Sequence, residues 1–323
     1  MNQDQAVVLG ASGFIGTRLV KTLVEQGAKG VRAVDILPPR ERHEGVTYYT
    51  LDVRDPLPED VGAGASVIYN FAAVHRTPGH PAGEYYQTNL AGALNAVRLA
   101  DACGIRTILF TSSISVYGPS EETVSEESPL KPVSPYGRSK RLAEQVHEQW
   151  LRQGGGRRLV VVRPGVVFGP GEGGNYTQLA KALRKGYFLY PGRRDAIKSG
   201  GYVDELLRTM SFTLAQDDPY ILYNFAYPQL STTEDIVTEF GRVTGRKRKP
   251  PTLPVAPLLL AAGVFELADA VGFKNWIHRD RVRKLVQSTK VAPGWLAAKR
   301  YNFSTDLGRA LDLWSAETDG RFV

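Results

Sequence analysis

An apolar strand that runs directly into three glycines spaced three apart restricts this chain more than any other feature. Ala6-Val-Val-Leu-Gly10-Ala-Ser-Gly13-Phe-Ile-Gly16 reads as a strand, a tight turn and the start of a helix. Without side chains, Gly10, Gly13 and Gly16 let the backbone approach a diphosphate. The helix that opens at Phe14 and Ile15 turns its unpaired N–H groups and positive dipole end toward that charge. A glycine motif alone is weak evidence, but here it follows a strand, opens a helix and is answered by Asp35 at the end of the next apolar run. A carboxylate at that place accepts both adenosine ribose hydroxyls and repels a 2′-phosphate. The loop is therefore expected to bind a dinucleotide, NAD rather than NADP.

The first half of the chain repeats this alternation. Residues 6–10, 31–35, 47–51, 67–71, 107–112 and 159–163 are short runs rich in Val, Ile, Leu, Tyr and Phe and are predicted to be strands. Between them, residues 16–26, 84–103 and 135–153 carry helical patterns. Strands alternating with helices imply an α/β fold, a Rossmann-type doubly wound parallel sheet with helices on both faces. After about Arg163 the regularity ends. Residues 169–175 form a glycine-rich loop, 204–216 and 232–243 read as helices, and 220–225 reads as a strand between them. The expected organisation is a nucleotide-binding domain over residues 1–165. Residues 166–323 then form mainly a smaller C-terminal substrate-binding lobe, interleaved with the last strands of the sheet.

Ligands of such sheets lie at the carboxyl ends of the strands, and the remaining motifs fall there. Asp52-Val53 follows the third strand, where a side chain can hold the adenine amino group. Asn70-Phe71-Ala72-Ala73 ends the fourth, its small residues letting backbone pass close to a cofactor ribose. Asn89 is a poor helix former inside a helix, placed to tie that helix to a neighbouring strand. Thr111-Ser112-Ser113 ends the fifth strand. Tyr136-Gly-Arg-Ser-Lys140 opens a helix after Pro132 and Pro135, so that Tyr136 and Lys140, four apart, share one face. A free phenol has a pKa near 10 and is a poor base at neutral pH. An ammonium about 4–5 Å away, at an effective dielectric of about 20, favours the phenolate by roughly 3–4 kcal/mol. Tyr136 is then the expected proton carrier, Ser113 the group that hydrogen-bonds the same substrate oxygen, and Lys140 a second hold on the nicotinamide ribose.

These residues resemble the extended short-chain dehydrogenase/reductase family, in its NAD-dependent epimerase/dehydratase branch. The resemblance rests on residues 10–16, on Asn70-Phe-Ala-Ala73, on Thr111-Ser-Ser-Ile-Ser-Val-Tyr-Gly118, on Ser134-Pro-Tyr-Gly-Arg-Ser-Lys140 and on Arg163-Pro-Gly-Val-Val-Phe-Gly169. It covers roughly residues 5–225. It implies Ser113, Tyr136 and Lys140 as the catalytic set, Pro164 and Val166 beside the cofactor, and a nucleotide-diphosphate sugar as substrate. Sugar 4,6-dehydratases usually carry Asp-Glu where this chain has Ile114-Ser115, and the decarboxylases tend to have Glu at position 115. The 3,5-epimerising members place a Cys that is missing here. A 4-epimerase or a ketoreductase remains. Two departures bear on that choice. Val166 replaces an Asn of many sugar epimerases, and Lys198 replaces a phosphate-binding Arg, keeping charge without the bidentate fork. His75, Ser113, Asn175, Lys198 and Arg283 are the candidate substrate contacts, with Arg281 beside Arg283.

The leading expectation is a sugar-nucleotide C4 epimerase working through a transient 4-keto intermediate. The alternatives are a ketoreductase acting on a keto-sugar nucleotide or hydroxysteroid-like compound, and a nucleotide-sensing regulator without catalysis. The intact Ser113, Tyr136 and Lys140 argue against the last. Among 323 residues the formal charge is +7. The basic residues come in short clusters such as Arg193-Arg194 and Arg246-Lys247-Arg248-Lys249, without interleaved aromatics, so nucleic acid is not an expected partner. No metal-ligand spacing is seen. Cys103 is the sole cysteine, which fits a reducing compartment, and no leader-like segment precedes the glycine loop. A cytoplasmic enzyme is expected, forming a homodimer through the two long helices 84–103 and 135–153. The apolar run 255–264 is half the length needed to span a bilayer. It is read first as a lobe-packing helix and second as a membrane-touching one.

Overall fold

The computed structural model describes residues 5–76, 79–246, 249–270 and 279–323. The side chains of 264–270, 280 and 281 fall outside the described residues, as do Lys247 and Arg248. Seven parallel strands form the main sheet: β1 (Ala6–Leu9), β2 (Val31–Asp35), β3 (Val46–Thr50), β4 (Val67–Asn70), β5 (Thr107–Thr111), β6 (Arg158–Pro164) and β7 (Tyr220–Phe225). Their order is β3-β2-β1-β4-β5-β6-β7. The chain winds outward from β1 in one direction, returns, and winds outward in the other. The reversal between β1 and β4 leaves a crevice at their carboxyl ends.

Nine helices of the chain are used below: α1 (Phe14–Glu25), α2 (Ala82–Ala102), α3 (Pro135–Arg152), α4 (Asn175–Lys185), α5 (Val203–Leu214), α6 (Thr233–Thr244), α7 (Val255–Ala270), α8 (Arg279–Val286) and α9 (Leu307–Glu317). Successive β1 side chains point to opposite faces, and both faces are covered. Ala6 and Val8 join a core with Leu19, Val20 and Leu23 of α1 and Leu206, Met210 and Leu214 of α5. Val7 and Leu9 join another with Ala93, Ala96 and Leu99 of α2 and Ala143 and Trp150 of α3. Double coverage explains why β1, β4, β5 and β6 read as unbroken apolar runs rather than alternating ones. Local chemistry fixes the helix ends. The Ser134 hydroxyl accepts the Gly137 N–H at 3.1 Å ahead of Pro135 at the first position of α3. Thr232 and Asp235 form a reciprocal cap on α6, which stops at left-handed Gly245.

The second half forms its own aromatic core of Phe168, Tyr176, Tyr202, Phe240 and Trp314, in which the Phe168 and Tyr176 rings stack at 4.3 Å. It also gives an edge to the main sheet. The strand at 220–225 is β7, hydrogen-bonded in parallel along the whole of β6 from Leu159 to Pro164, while α5 covers the same face as α1. The sheet therefore reaches well past residue 165, and interleaving is the better description of the chain than a clean division there.

One buried carboxylate fastens the C-terminal segment to this frame. Glu205 on α5 is buried and accepts five hydrogen bonds: from Tyr301 Oη at 2.6 Å, from Ser304 N at 3.0 Å and Oγ at 2.6 Å, and from Thr305 N at 3.0 Å and Oγ1 at 2.9 Å. Removing it leaves five half-buried or exposed donors without their acceptor. Glu205→Ala is expected to lower unfolding free energy by about 3 kcal/mol, read as a lower urea midpoint with little change in slope. An unmoved midpoint would show that the cluster is dispensable.

Candidate active site

The glycine loop is built as its sequence demands. Gly10 has φ +83°, and a Cβ there would stand 2.7 Å from the backbone nitrogen of Ala72, because the ends of β1 and β4 meet at that point. Gly13 caps α1 without a side-chain hydrogen bond to the first N–H groups of the helix. Asp35 holds the loop from below. One carboxylate oxygen accepts Ser12 N at 2.9 Å and the other accepts Leu37 N at 3.0 Å. Each oxygen keeps lone pairs for ribose hydroxyls. This cradle, with Gly10 packed against the end of β4 and Asp35 beneath the loop, fits a dinucleotide.

At the end of β5 the candidate catalytic residues converge. Lys140 is buried and donates to the Thr111 carbonyl at 2.8 Å, with its ammonium 4.8 Å from the Phe110 ring centre. Ser113 caps a single turn at Ile114–Val116. Its Oγ accepts Ser115 N at 3.1 Å and donates to Ser115 Oγ at 3.1 Å. It also lies close enough to Tyr136 for a hydrogen bond that favours the phenolate. Tyr85 of α2 stands against Tyr136, ring centres 6.3 Å apart. Burial pushes the Tyr136 phenol up to about 12, with Ser113 pulling against it and Tyr85 adding to it. Burial also takes Lys140 down to about 7, opposed by Glu144. Burial, not the expected pull of Lys140, sets the direction at the phenol, because the apolar wall that buries both groups penalises both charged forms. The buried hydroxyls of Thr111 and Ser112 and the Oδ1 of Asn70 have no hydrogen-bond partner among the described residues. They leave polar atoms open at the carboxyl ends of β4 and β5, where a ligand can satisfy them.

The other expected residues are placed as follows. Asn89 is buried and ties three elements together. Its amide exchanges bonds with Val74 N and O at 2.9 and 3.1 Å and donates to Ser139 Oγ at 2.8 Å, joining α2 to the segment after β4 and to α3. Phe71, Ala72 and Ala73 line the turn after β4 opposite Gly10. Val53 is buried over Gly92, while Asp52 beside it already pairs with Arg54 at 2.5 Å. Pro164 ends β6, and Val166 lies on a short strand paired with Gly200. His75 sits at the rim, its pKa lowered by burial and by the nearby charges of Arg76 and Lys140. Asn175 opens α4 in an exposed position. Lys198 is turned to α8, donating to the carbonyls of Lys284 at 2.7 Å and Gln287 at 2.5 Å, with burial lowering it to about 8. Arg283 is exposed on α8, and the Arg281 side chain lies outside the described residues.

Three further groups were not singled out in the sequence. Arg40 bridges the two glycine loops, donating to Ser12 O at 3.0 Å and Gly171 O at 2.9 Å. Arg163 of β6 and Glu144 of α3, both buried, form a bidentate pair at 2.8 Å and 2.8 Å. His147 lies beneath Lys140, stacked on Phe110 at 4.3 Å and 3.3 Å from Asn70. Burial takes it down to about 4, so it is neutral. Glu144 and His147 follow Lys140 by four and seven residues, and that continuation of its helix face is the one signal that pointed to them.

Comparison with known proteins agrees with this geometry. Residues 6–226 match the NAD dependent epimerase/dehydratase family. The N-acetyl-alpha-D-glucosaminyl-diphospho-ditrans,octacis-undecaprenol 4-epimerase of Escherichia coli O157:H7 is 29% identical over 319 residues, covering 95% of this chain and 94% of that protein. A UDP-glucose 4-epimerase of Streptococcus mutans is 24% identical, covering 87% and 94%. Among solved structures, MoeE5 in complex with UDP-glucuronic acid and NAD superposes with a TM-score of 0.77 at 21% identity, covering 97% and 99%. UDP-glucose 4-epimerase from Thermotoga maritima superposes with 0.77 at 19%, covering 98% of each chain. Glycine cradle, Asp35 and the Ser113, Tyr136 and Lys140 cluster are thus set in a chain that belongs to the NAD dependent epimerase/dehydratase family, an enzyme of the extended short-chain dehydrogenase/reductase type.

Proposed function

We propose that this enzyme is a 4-epimerase of a hexopyranose joined through a diphosphate to its carrier, working through a transient 4-keto sugar. The observation that carries the reading is the convergence of Ser113, Tyr136 and Lys140 at the end of β5, beside the crevice that opens at Gly10. When bound, NAD would supply reversible hydride transfer at C4 and a positive charge. Gly10, Gly13 and Gly16 would hold its diphosphate, Asp35 its adenosine ribose, and Lys140 its second ribose through hydrogens not given to the Thr111 carbonyl. Tyr136 takes the proton from O4 as the ketone forms and gives it back as the epimer forms. Ser113 donates to the same oxygen and fixes it against the phenol. With Ile114 and Ser115 where a dehydratase carries acids, no carboxylate of that turn stands ready to take a C5 proton. Lys198 and Arg283 are the cations assigned to the substrate diphosphate, and Asn175 and His75 the polar contacts to the sugar. The relatives' names divide between a polyprenyl and a nucleoside carrier, and the diphosphate is common to both.

The test is incubation of purified protein with UDP-N-acetylglucosamine, UDP-glucose and a polyprenyl-diphosphate N-acetylglucosamine, without added reduced cofactor. Interconversion of C4 epimers without net redox change is expected, and whichever substrate turns over identifies the carrier. Strict need for stoichiometric reduced cofactor would instead make the enzyme a ketoreductase. Tyr136→Phe is expected to lower kcat by about a hundredfold or more with NAD affinity little changed.

Cofactor choice is assigned to Asp35. Asp35→Ser removes the charge facing the 2′ position while Arg40 stays beside Ser12. The ratio of NADP to NAD affinity should rise by roughly tenfold or more, measured by titration of the two cofactors. A ratio unchanged from the parent enzyme would move the discrimination elsewhere.

Two copies are proposed to pair through α2 and α3. These helices expose Leu94 (39%) and Leu142 (38%) around an apolar depression lined by Leu90, Val97, Val146 and Trp150. Light scattering should give twice 35.5 kDa, and Leu94→Glu with Leu142→Glu should give the single-chain mass.

A further inference from the structure

The described first half of helix α7, residues 255–263, carries no charged or polar side chain. No charged residue lies between Lys249 and Glu266. In the described part of the helix, Ala262 is buried while Ala256, Pro257, Leu260 and Ala261 are exposed, and the approach to it adds exposed Leu253 and Pro254. Leu260 is 74% exposed and Leu253 40%. A surface helix normally turns charge outward, and one that is apolar all round is normally covered. Isolated exposed leucines need no explanation, but a continuous apolar stripe along a helix and its approach does.

The neighbours of the stripe carry the opposite character. Helix α8 packs on α7. It presents Arg279, Arg283 and Lys284 at the surface, together with Leu285, which is 47% exposed. Lys249 is exposed at the other end of the approach. The two elements are held in register: Val255 and Val286 both lie against Gly192, Thr252 pairs with Tyr190, and Arg194 donates to Thr252 Oγ1 at 2.6 Å. Apolar side chains flanked by exposed cations are the surface that enters the acyl boundary of a bilayer while anionic headgroups meet the charges. At 16 residues α7 falls short of a span, and no helix among the described residues is long and apolar enough to cross a membrane. Such a helix lies in the plane of the interface.

We propose that the α7 stripe, with the cations of α8 and Lys249 beside it, docks this enzyme on the surface of an anionic lipid bilayer. The docked face adjoins the candidate diphosphate site, because Lys198 is bonded directly to the end of α8 at the Lys284 and Gln287 carbonyls. If the carrier in the reading above is a lipid, this is the side from which it is met. The docking itself stands apart from that reading and is measured without turnover.

The experiment is co-sedimentation of the full chain with vesicles of phosphatidylcholine alone and of phosphatidylcholine with about one-third phosphatidylglycerol. Binding to the anionic vesicles is expected, weakened by salt. Leu260→Glu should weaken it about tenfold or more, and Lys284→Glu about tenfold on anionic vesicles only. NAD binding and C4 epimerisation of a water-soluble substrate should be unchanged in both variants. Each side chain is exposed, and circular dichroism checks that each variant is folded. Failure to bind vesicles, or binding indifferent to both substitutions, overturns the proposal. So does a fall in solution mass on Leu260→Glu, which would assign the stripe to a second copy of the chain. Loss of epimerase activity in the parent enzyme with vesicle binding intact would instead count against the catalytic reading alone.

Discussion

Helix α3, which carries Tyr136 and Lys140, is held to the sheet by a buried ion pair, and the placing of those two residues at β5 depends on that hold. Arg163 lies in the interior strand β6 and Glu144 in the second turn after Lys140, and they meet through two parallel N–H to oxygen bonds of 2.8 Å. Glu144 also accepts from Arg141 at 3.0 Å. Taking two charges from water costs several kcal/mol for each, so a pair of this kind adds little net stability, although removing one partner alone costs about 3–5 kcal/mol. Its value is directional. The guanidinium is planar and the carboxylate is met edge-on, so α3 has one rotation and one height at which both bonds form. Tyr136 and Lys140 inherit that setting, as they are rigidly spaced from Glu144 on the same face.

The same guanidinium extends the constraint beyond the helix. Arg163 donates to Tyr117 Oη at 2.8 Å, Tyr117 donates to Asn224 Oδ1 at 2.9 Å, and the Asn224 N–H goes to Glu126 at 2.8 Å. Glu126 in turn accepts Gly294 N and Trp295 N at 3.1 Å each. A continuous polar chain therefore runs from the catalytic helix through the turn after Ser113 and the edge strand β7 into the C-terminal segment. Each buried polar atom on it is paired, which is the condition under which such a network fixes a geometry rather than weakening a core. It gives a physical reason for a strand as late as β7 to belong to the main sheet: Asn224 must face Tyr117.

Much of this arrangement follows from local rules and was visible in the residues alone. The predicted strands at 31–35 and 220–225 coincide with β2 and β7, and the other five end within two residues of their predicted limits, because double burial writes an unbroken apolar run into the chain. Helices α2 and α3 were legible from period and from the Ser134-Pro135 start. The glycine turn was legible because positive φ and close backbone approach exclude every other residue type at Gly10. What escaped were partners chosen across the fold. Nothing near Arg40 signals that it will join Ser12 to Gly171, and nothing near Glu205 signals five donors waiting at 301–305. Lys198, assigned to phosphate by its place in a motif, has two of its hydrogens on α8 carbonyls, a contact with no local signature.

The electrostatics of the catalytic pair show the same boundary between local and global information. Spacing four apart on a helix puts Tyr136 and Lys140 on one face, and Coulomb attraction at that range favours the phenolate. The opposing quantity is desolvation, which depends on what α2, β4 and β5 stack around the pair, and it is the larger at both groups. Burial raises the Tyr136 phenol and lowers the Lys140 amine, so at both groups it favours the uncharged form. A bound dinucleotide with an oxidised ring would supply a positive charge here, which would oppose the effect of burial and favour the phenolate of Tyr136.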